Sequence, residues 1–220
     1  MLLYAITNRH LLPGDENAKR DRLVVLAEEW ARGGVDTIQL REKDLPLREL
    51  QFLAARIVQA VRAAESKTRS KTRVLVNGPA QLALDVGADG VHLHANAEPA
   101  AVRAAQQVYA RANLEPVISA ACHSPDEIRQ AHGASLLLFS PVFEKVTLQG
   151  NTRGQGLAAL RAAVDLANPT PVLALGGVNE KNAVACAQNG AAGVAAIRLF
   201  LGEAWRALLQ IPEPSVRPSS

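Results

Sequence analysis

The chain has 220 residues, of which 48% are apolar and only 4% aromatic, so its core must be built from Val, Leu, Ile and Ala. A formal net charge of +3, from 24 Lys and Arg against 21 Asp and Glu, fits a small anionic ligand; without an arginine-rich helix or a basic stripe interleaved with aromatics, it does not point to nucleic acid. No apolar run reaches the ~18 residues of a membrane span and Met1-Leu2-Leu3-Tyr4 lacks a basic leader, so a soluble cytoplasmic protein is expected.

In chain order, Leu3–Thr7 reads as a first strand. A helical stretch then ends at Gly33-Gly34, and Val35 to Leu40 turns apolar again as a second strand. Apolar residues at helical spacing predict an amphipathic helix from about Pro46 to Ala64. The basic run Lys67 to Arg73 reads as a solvated loop. Arg73–Asn77 is the third strand, and Gly87-Ala88-Asp89-Gly90-Val91-His92-Leu93 leads into the fourth. Pro116–Ala121 is the fifth, the sixth follows Gly133-Ala134-Ser135, Pro171–Leu175 is the seventh, and Gly190-Ala191-Ala192-Gly193 opens the eighth. Pro212 to Ser220 is rich in Pro and Ser and reads as a flexible tail, which leaves 1–211 as one domain.

One unit recurs through this series: a helix ending in Gly, two small residues, then an apolar strand. Gly supplies the left-handed residue that ends a helix. The copies begin at Gly34, Gly87, Gly133 and Gly190, intervals of about 50 residues that suit two βα units each. Four copies make eight strands. Their apolar, mostly non-alternating character is that of parallel strands buried on both faces. No dinucleotide Gly fingerprint follows the first strand. The fold class is therefore α/β, a (β/α)8 TIM barrel.

Ligands of such barrels bind at the carboxyl ends of the strands. Three groups of residues stand there. Gln39-Leu40-Arg41-Glu42-Lys43 follows strand two, and its two cations suit a phosphate or a carboxylate unless they pair with Glu42 or Asp44. Gly176-Gly177 follows strand seven and precedes a helix predicted from about Asn179; it is either a phosphate cradle or a plain tight turn. His123 ends strand five. An imidazole titrates near neutral pH and can shuttle a proton, although this one could equally be a structural neighbour of the Ser124-Pro125 helix start. Asn77 after strand three and Arg198 after strand eight complete the candidates, with His92 and His94 at the end of strand four. Cys122 and Cys186 lie in apolar contexts and read as buried thiols, with no disulfide or metal pattern.

QLREK (Gln39–Lys43), GADGVHL (Gly87–Leu93), CHS (Cys122–Ser124), SPVF (Ser140–Phe143) and ALGGV (Ala174–Val178) occur in order at successive strand ends. Together they resemble the thiamin-phosphate synthase/TenI superfamily over nearly the whole chain. The resemblance implies one of two activities. A synthase joins an aminopyrimidine diphosphate to a thiazole phosphate with Mg²⁺. A TenI-type thiazole tautomerase shifts a proton to aromatise a thiazole phosphate carboxylate and needs no metal. Gly78 and Ala97 stand where the synthase pattern carries its two metal aspartates, with Glu98 one residue away. Arg198 stands where the family usually has Ser, and Asn77-Gly78 and Phe143-Glu144 look more like the TenI type.

The expected protein is accordingly a TenI-like isomerase of thiamin biosynthesis. His123 shuttles the proton. Gly176, Gly177 and Arg198 hold the phosphate, and Arg41 and Lys43 meet the second anionic group. No cofactor is expected, with Mg²⁺ only if the synthase alternative holds. A synthase with rearranged metal ligands and a silent thiazole-phosphate-binding regulator are the alternatives. The resemblance implies a homo-oligomer.

Overall fold

The computed structural model describes residues 1–65, 71–95, 98–147 and 150–211, the side chains of 145–147 excepted. The basic run and the expected tail fall largely or wholly outside them, as does Ala97. Strands β1 (Leu2–Ile6), β2 (Thr37–Leu40), β3 (Arg73–Val76), β4 (Gly90–Leu93), β5 (Val117–Cys122) and β6 (Leu136–Phe139) come first. A two-stranded hairpin follows, β7 (Lys145–Thr147) with β8 (Gly150–Thr152), and then β9 (Val172–Leu175) and β10 (Gly193–Ala196). The hairpin lies between β6 and the helix Gly156–Ala167.

The other eight strands pair in parallel and close in the order β1-β10-β9-β6-β5-β4-β3-β2. Helices α1 (Glu16–Gly33), α2 (Leu47–Glu65), α3 (Ala80–Asp85), α4 (Pro99–Ala110), α5 (Pro125–Gln130), α6 (Gly156–Ala167) and α7 (Ala183–Gln188) return the chain between them. This is the expected TIM barrel. No helix among the described residues is long and apolar enough to cross a membrane.

The recurring glycine does what its place in the sequence demands. Gly34, Gly87, Gly133 and Gly190 all have positive φ, between 72° and 89°. At the first, Gly34 N–H donates to Ala31 and Val35 N–H to Trp30, closing the end of α1. The next apolar residue is buried each time: Val35, Ala88, Ala134 and Ala191. In three copies the following side chain receives a main-chain N–H of the preceding strand. Asp36 accepts from Leu3 (2.8 Å), Asp89 from Val74 (2.7 Å) and Ser135 from Ile118 (3.0 Å). The fourth copy has Ala192 there and makes no such bond.

After β10 two 3-10 turns, Arg198–Leu201 and Ala204–Gln210, stand in place of an eighth α-helix. Both tryptophans and one of the four phenylalanines meet here. Trp30 of α1 packs edge-on against Phe200 (centroids 6.1 Å apart) and donates its indole N–H to the Phe200 carbonyl at 2.9 Å. The Trp205 ring centroid lies 6.0 Å from that of Phe200. Three large rings thus fill a gap that short turns of aliphatic residues would leave open.

Candidate active site

Side chains alternate along each strand, so every second residue faces the barrel axis. The lower interior is apolar, filled by Tyr4, Ile6, Leu75, Leu136, Leu138, Leu173 and Ala195. The same parity, carried towards the carboxyl ends, aligns Gln39 on β2 and Arg41 just after it with Asn77 after β3, with His92 on β4 and with His94 just after it. It also brings in Ser119 on β5, and His123 and Ser140 just after β5 and β6. Gln39, Asn77, His92, Ser119 and Ser140 are buried; His94 and His123 are exposed. The carboxamide of Gln39 is buried, and neither its oxygen nor its nitrogen has a hydrogen-bond partner. An unsatisfied buried polar atom costs about 1–3 kcal/mol, so a group belonging to a ligand or to solvent is called for beside it.

His123 is held from three directions. Its Nδ1 lies 2.7 Å from the Ser140 carbonyl oxygen and 3.1 Å from Ser140 Oγ. A carbonyl only accepts, so Nδ1 carries a proton, and in the neutral ring Nε2 presents the lone pair. Gln155 donates to both the Ser140 and His123 carbonyls, at 3.0 and 3.2 Å. The main-chain N–H of His123 donates to Glu127, whose own N–H donates to Ser124, the N-cap of α5. The histidine is therefore a neighbour of a helix start whose exposed ring is held at Nδ1 by Ser140.

The QLREK segment is anchored by its acid. Glu42 is buried and accepts from Thr7 Oγ1 (2.7 Å), from the main-chain N–H of Arg9 and from Arg9 Nη1 (3.1 Å). Arg9, also buried, continues to Glu16 at 2.7 Å and to Asp44. These bonds hold the Asp44 carboxyl well below the usual carboxylate range and lower Glu16 to about 2, Arg9 being the first cause in both. Thr7 Oγ1 in turn accepts the N–H of Arg41 at 2.9 Å. Glu42 and Asp44 thus both pair with Arg9. Arg9 lies 33 residues from Glu42 in sequence, and no local pattern announced it.

Gly176 and Gly177 have φ of 93° and 66°. A Cβ on the first would lie 2.7 Å from Pro141 Cα, and one on the second 2.5 Å from the Glu144 carbonyl oxygen. The glycines are therefore required by the close passage of the segment after β6. The helix predicted from Asn179 starts only at Ala183. In between, Asn179 Oδ1 accepts the N–H groups of Lys181 and Asn182, and Asn182 Oδ1 that of Asn179. The N–H groups expected to face an anion are thus partly engaged by asparagines, which compete for the backbone at such turns. Arg198 is exposed at the start of the first 3-10 turn, beyond β10.

The β3–β4 side of the mouth contains a cavity of about 320 Å³ lined by Asn77, Gly78, His92, Leu93, His94, Ala95 and Ala101. Burial, then the charges of His94, Arg41 and Lys43, push the His92 pKa down to about 3. Burial, with Lys43 and Arg41, also lowers His94. Cations therefore dominate this region. Mg²⁺ prefers hard oxygen ligands, usually one or two carboxylates beside phosphate oxygens. Here Glu42 and Asp44 are committed to Arg9, Gly78 and Ala97 have no donor side chain, and among the described residues no three of His, Cys, Asp and Glu converge on one point. Glu98, the N-cap residue of α4, remains as one carboxylate next to these positions in sequence, so the two-aspartate donor set of the synthase pattern is not reproduced. Cys122 and Cys186 are buried, with thiols pushed up to about 12 and about 11, and both are inert packing residues.

The thiamine monophosphate synthase family model matches residues 3–200. A putative thiamine-phosphate synthase of Geobacter sulfurreducens is 37% identical over 222 residues, 98% of this chain and 96% of that one. The thiamine-phosphate synthase of Methanoculleus marisnigri is 35% identical over 206 residues, 91% of this chain and 88% of that one. Among solved structures, thiamine phosphate pyrophosphorylase from Pyrococcus furiosus superimposes with a TM-score of 0.72 at 29% identity, over 93% of this chain and 90% of that one. The chain belongs to the thiamine monophosphate synthase family.

Proposed function

We propose that this chain is a thiazole tautomerase of thiamin biosynthesis, moving a proton on a thiazole phosphate carboxylate without a metal ion. The observation that carries this reading is the fixed tautomer of His123 at the mouth: Nδ1–H spent on the Ser140 carbonyl at 2.7 Å, Nε2 bare. A bare imidazole nitrogen can take a proton from one carbon of the ligand and return it to another, which is all a tautomerisation requires. Arg41, Lys43 and Asn77 meet the carboxylate and Gln39 gives its unpartnered amide to the ligand, while Gly176, Gly177 and Arg198 hold the phosphate. The cationic mouth suits a doubly anionic ligand.

The relatives' names favour a second reading. The Geobacter sulfurreducens and Methanoculleus marisnigri relatives are both named as thiamine-phosphate synthases, putatively so in the first case. A synthase is a transferase, and one with rearranged metal ligands remains compatible with the family. Two assays on the same preparation separate the readings. Conversion of thiazole phosphate carboxylate in the presence of EDTA is expected, together with a loss of about 10²-fold in His123→Ala. Coupling of aminopyrimidine diphosphate to thiazole phosphate at ordinary rates with Mg²⁺ would instead establish the transferase. Binding of the thiazole phosphate without either conversion would make the protein a regulator.

A further inference from the structure

His123 is not the only histidine whose tautomer the fold dictates. His92, on β4, has its Nδ1 2.8 Å from Ser119 Oγ on β5, and Ser119 Oγ lies 2.9 Å from the hydroxyl of Tyr4 on β1. All three residues are buried. Each bond taken alone could run in either direction, but the chain as a whole cannot. Among the described residues the Tyr4 hydroxyl has one partner, and a buried O–H must be given to an acceptor. Tyr4 therefore donates to Ser119. The serine has a single proton, and that proton must go to Nδ1 of His92. Nδ1 is then the acceptor, and the proton of the neutral ring sits on Nε2. Among the described residues Nε2 has no partner, and His92 lines the cavity with Asn77, Gly78 and His94. Burial and the charges of His94, Arg41 and Lys43 oppose a second proton on the ring.

We propose that His92 is a ligand-binding residue, a neutral Nε2–H donor at the floor of the β3–β4 cavity that holds an anionic oxygen of the ligand, and that Ser119 and Tyr4 are the positioning residues that fix its tautomer. The two histidines are then opposites. His123 offers a lone pair that can move a proton, and His92 offers an N–H that stays in place. A neutral donor stabilises negative charge on the ligand without surrendering its own proton. The identity of the ligand rests on the reading given above; the tautomer does not.

The test is ¹⁵N NMR of the full chain labelled at histidine, which reads each ring nitrogen as protonated or bare. At pH 7, His92 is expected with Nε2–H and a bare Nδ1, and His123 with the reverse. A His92 carrying its proton on Nδ1, or on both nitrogens, overturns the proposal. Adding thiazole phosphate carboxylate is expected to shift Nε2 of His92. Binding that leaves this signal unmoved overturns its role as donor. If the compound does not bind at all, both the proposed function and that role fall, while the tautomer remains as measured. Ser119→Ala is expected to let the Nδ1–H form of His92 appear and to weaken binding about tenfold, the equivalent of one oriented hydrogen bond. Ser119→Thr, which keeps the hydroxyl, is expected to restore both; a purely structural role for Ser119 would leave the tautomer untouched.

Discussion

The two ends of this barrel are built by different rules. At the N-terminal end, four strands enter through one device: a left-handed glycine, a buried small residue, then the strand. Three of the four add a side chain that receives the N–H of the strand before. At the C-terminal end no two strands finish alike. β2 ends in a segment pinned by Arg9, β4 in two histidines, β5 in a capped helix start carrying His123, and β9 in two glycines pressed against the chain after β6. Repetition serves an end that only has to hold together, and variety serves an end that has to fit a ligand. Substitutions should therefore separate: those below cost stability, and those above cost function.

The largest effect is expected below. A Cβ on Gly90, the first residue of β4, would lie 1.9 Å from the Val117 carbonyl oxygen. That oxygen belongs to the neighbouring strand, so relief requires the β4–β5 ladder to open. Gly90→Ala should cost about 3 kcal/mol or more, read as a fall in the urea midpoint. A variant as stable as the wild type would mean that the lower end is not rigid.

The opposite pattern is expected at His123. Its ring is exposed and its main chain is fixed by Glu127 whatever the side chain. His123→Ala should leave stability within about 0.5 kcal/mol while tautomerase turnover falls about 10²-fold, or roughly 2.7 kcal/mol of transition-state stabilisation. A large loss of stability would make the residue a structural one.

Smaller losses rank the copies of the lower device. Asp89 receives Val74 N–H and also Arg62 at 2.6 Å, whereas Ser135 receives only Ile118 N–H. Asp89→Ala should cost about 2 kcal/mol and Ser135→Ala about 1 kcal/mol, since removing the acceptor strands a part-buried donor. Ala192 already stands in the fourth position, so the bond is an addition to the device and not its foundation. Equal costs at Asp89 and Ser135 would show that the Arg62 pairing contributes nothing.

The same contrast governs what was legible in the sequence. The fourfold device is local: a glycine, two small residues and a strand are adjacent in the chain, and the strands fall within a residue or two of their predicted bounds. The mouth is assembled from residues far apart. Glu42 was visible, but its partner Arg9 sits in a different loop. His92 was seen at its strand end, yet the two hydroxyls that orient it come from β1 and β5. The helix expected at Asn179 was misplaced because Asn179 and Asn182 bind each other's backbone before a helix can form. Alternation places a residue on a face; it does not say what that face will meet.

The subtlest prediction concerns the two histidines through pH. His92 keeps its neutral ring down to about pH 3 in the fold, against an ordinary value of 6.5. Between these values the unfolded chain takes up a proton that the folded chain refuses. Stability therefore rises with pH across that window, is lost as the pH falls towards 3, and is unaffected by this group above 6.5. The slope is at most about 1.4 kcal/mol per pH unit. Burial also lowers His94, so wild type alone would mix two contributions. His92→Gln isolates the first, because it keeps an N–H donor and removes the titration. Between pH 6 and pH 5 the wild type should lose about 1 kcal/mol more than this variant. Equal losses would mean that His92 accepts a proton within the fold, and then the hydrogen-bonded line from Tyr4 through Ser119 could not be what keeps its Nδ1 bare.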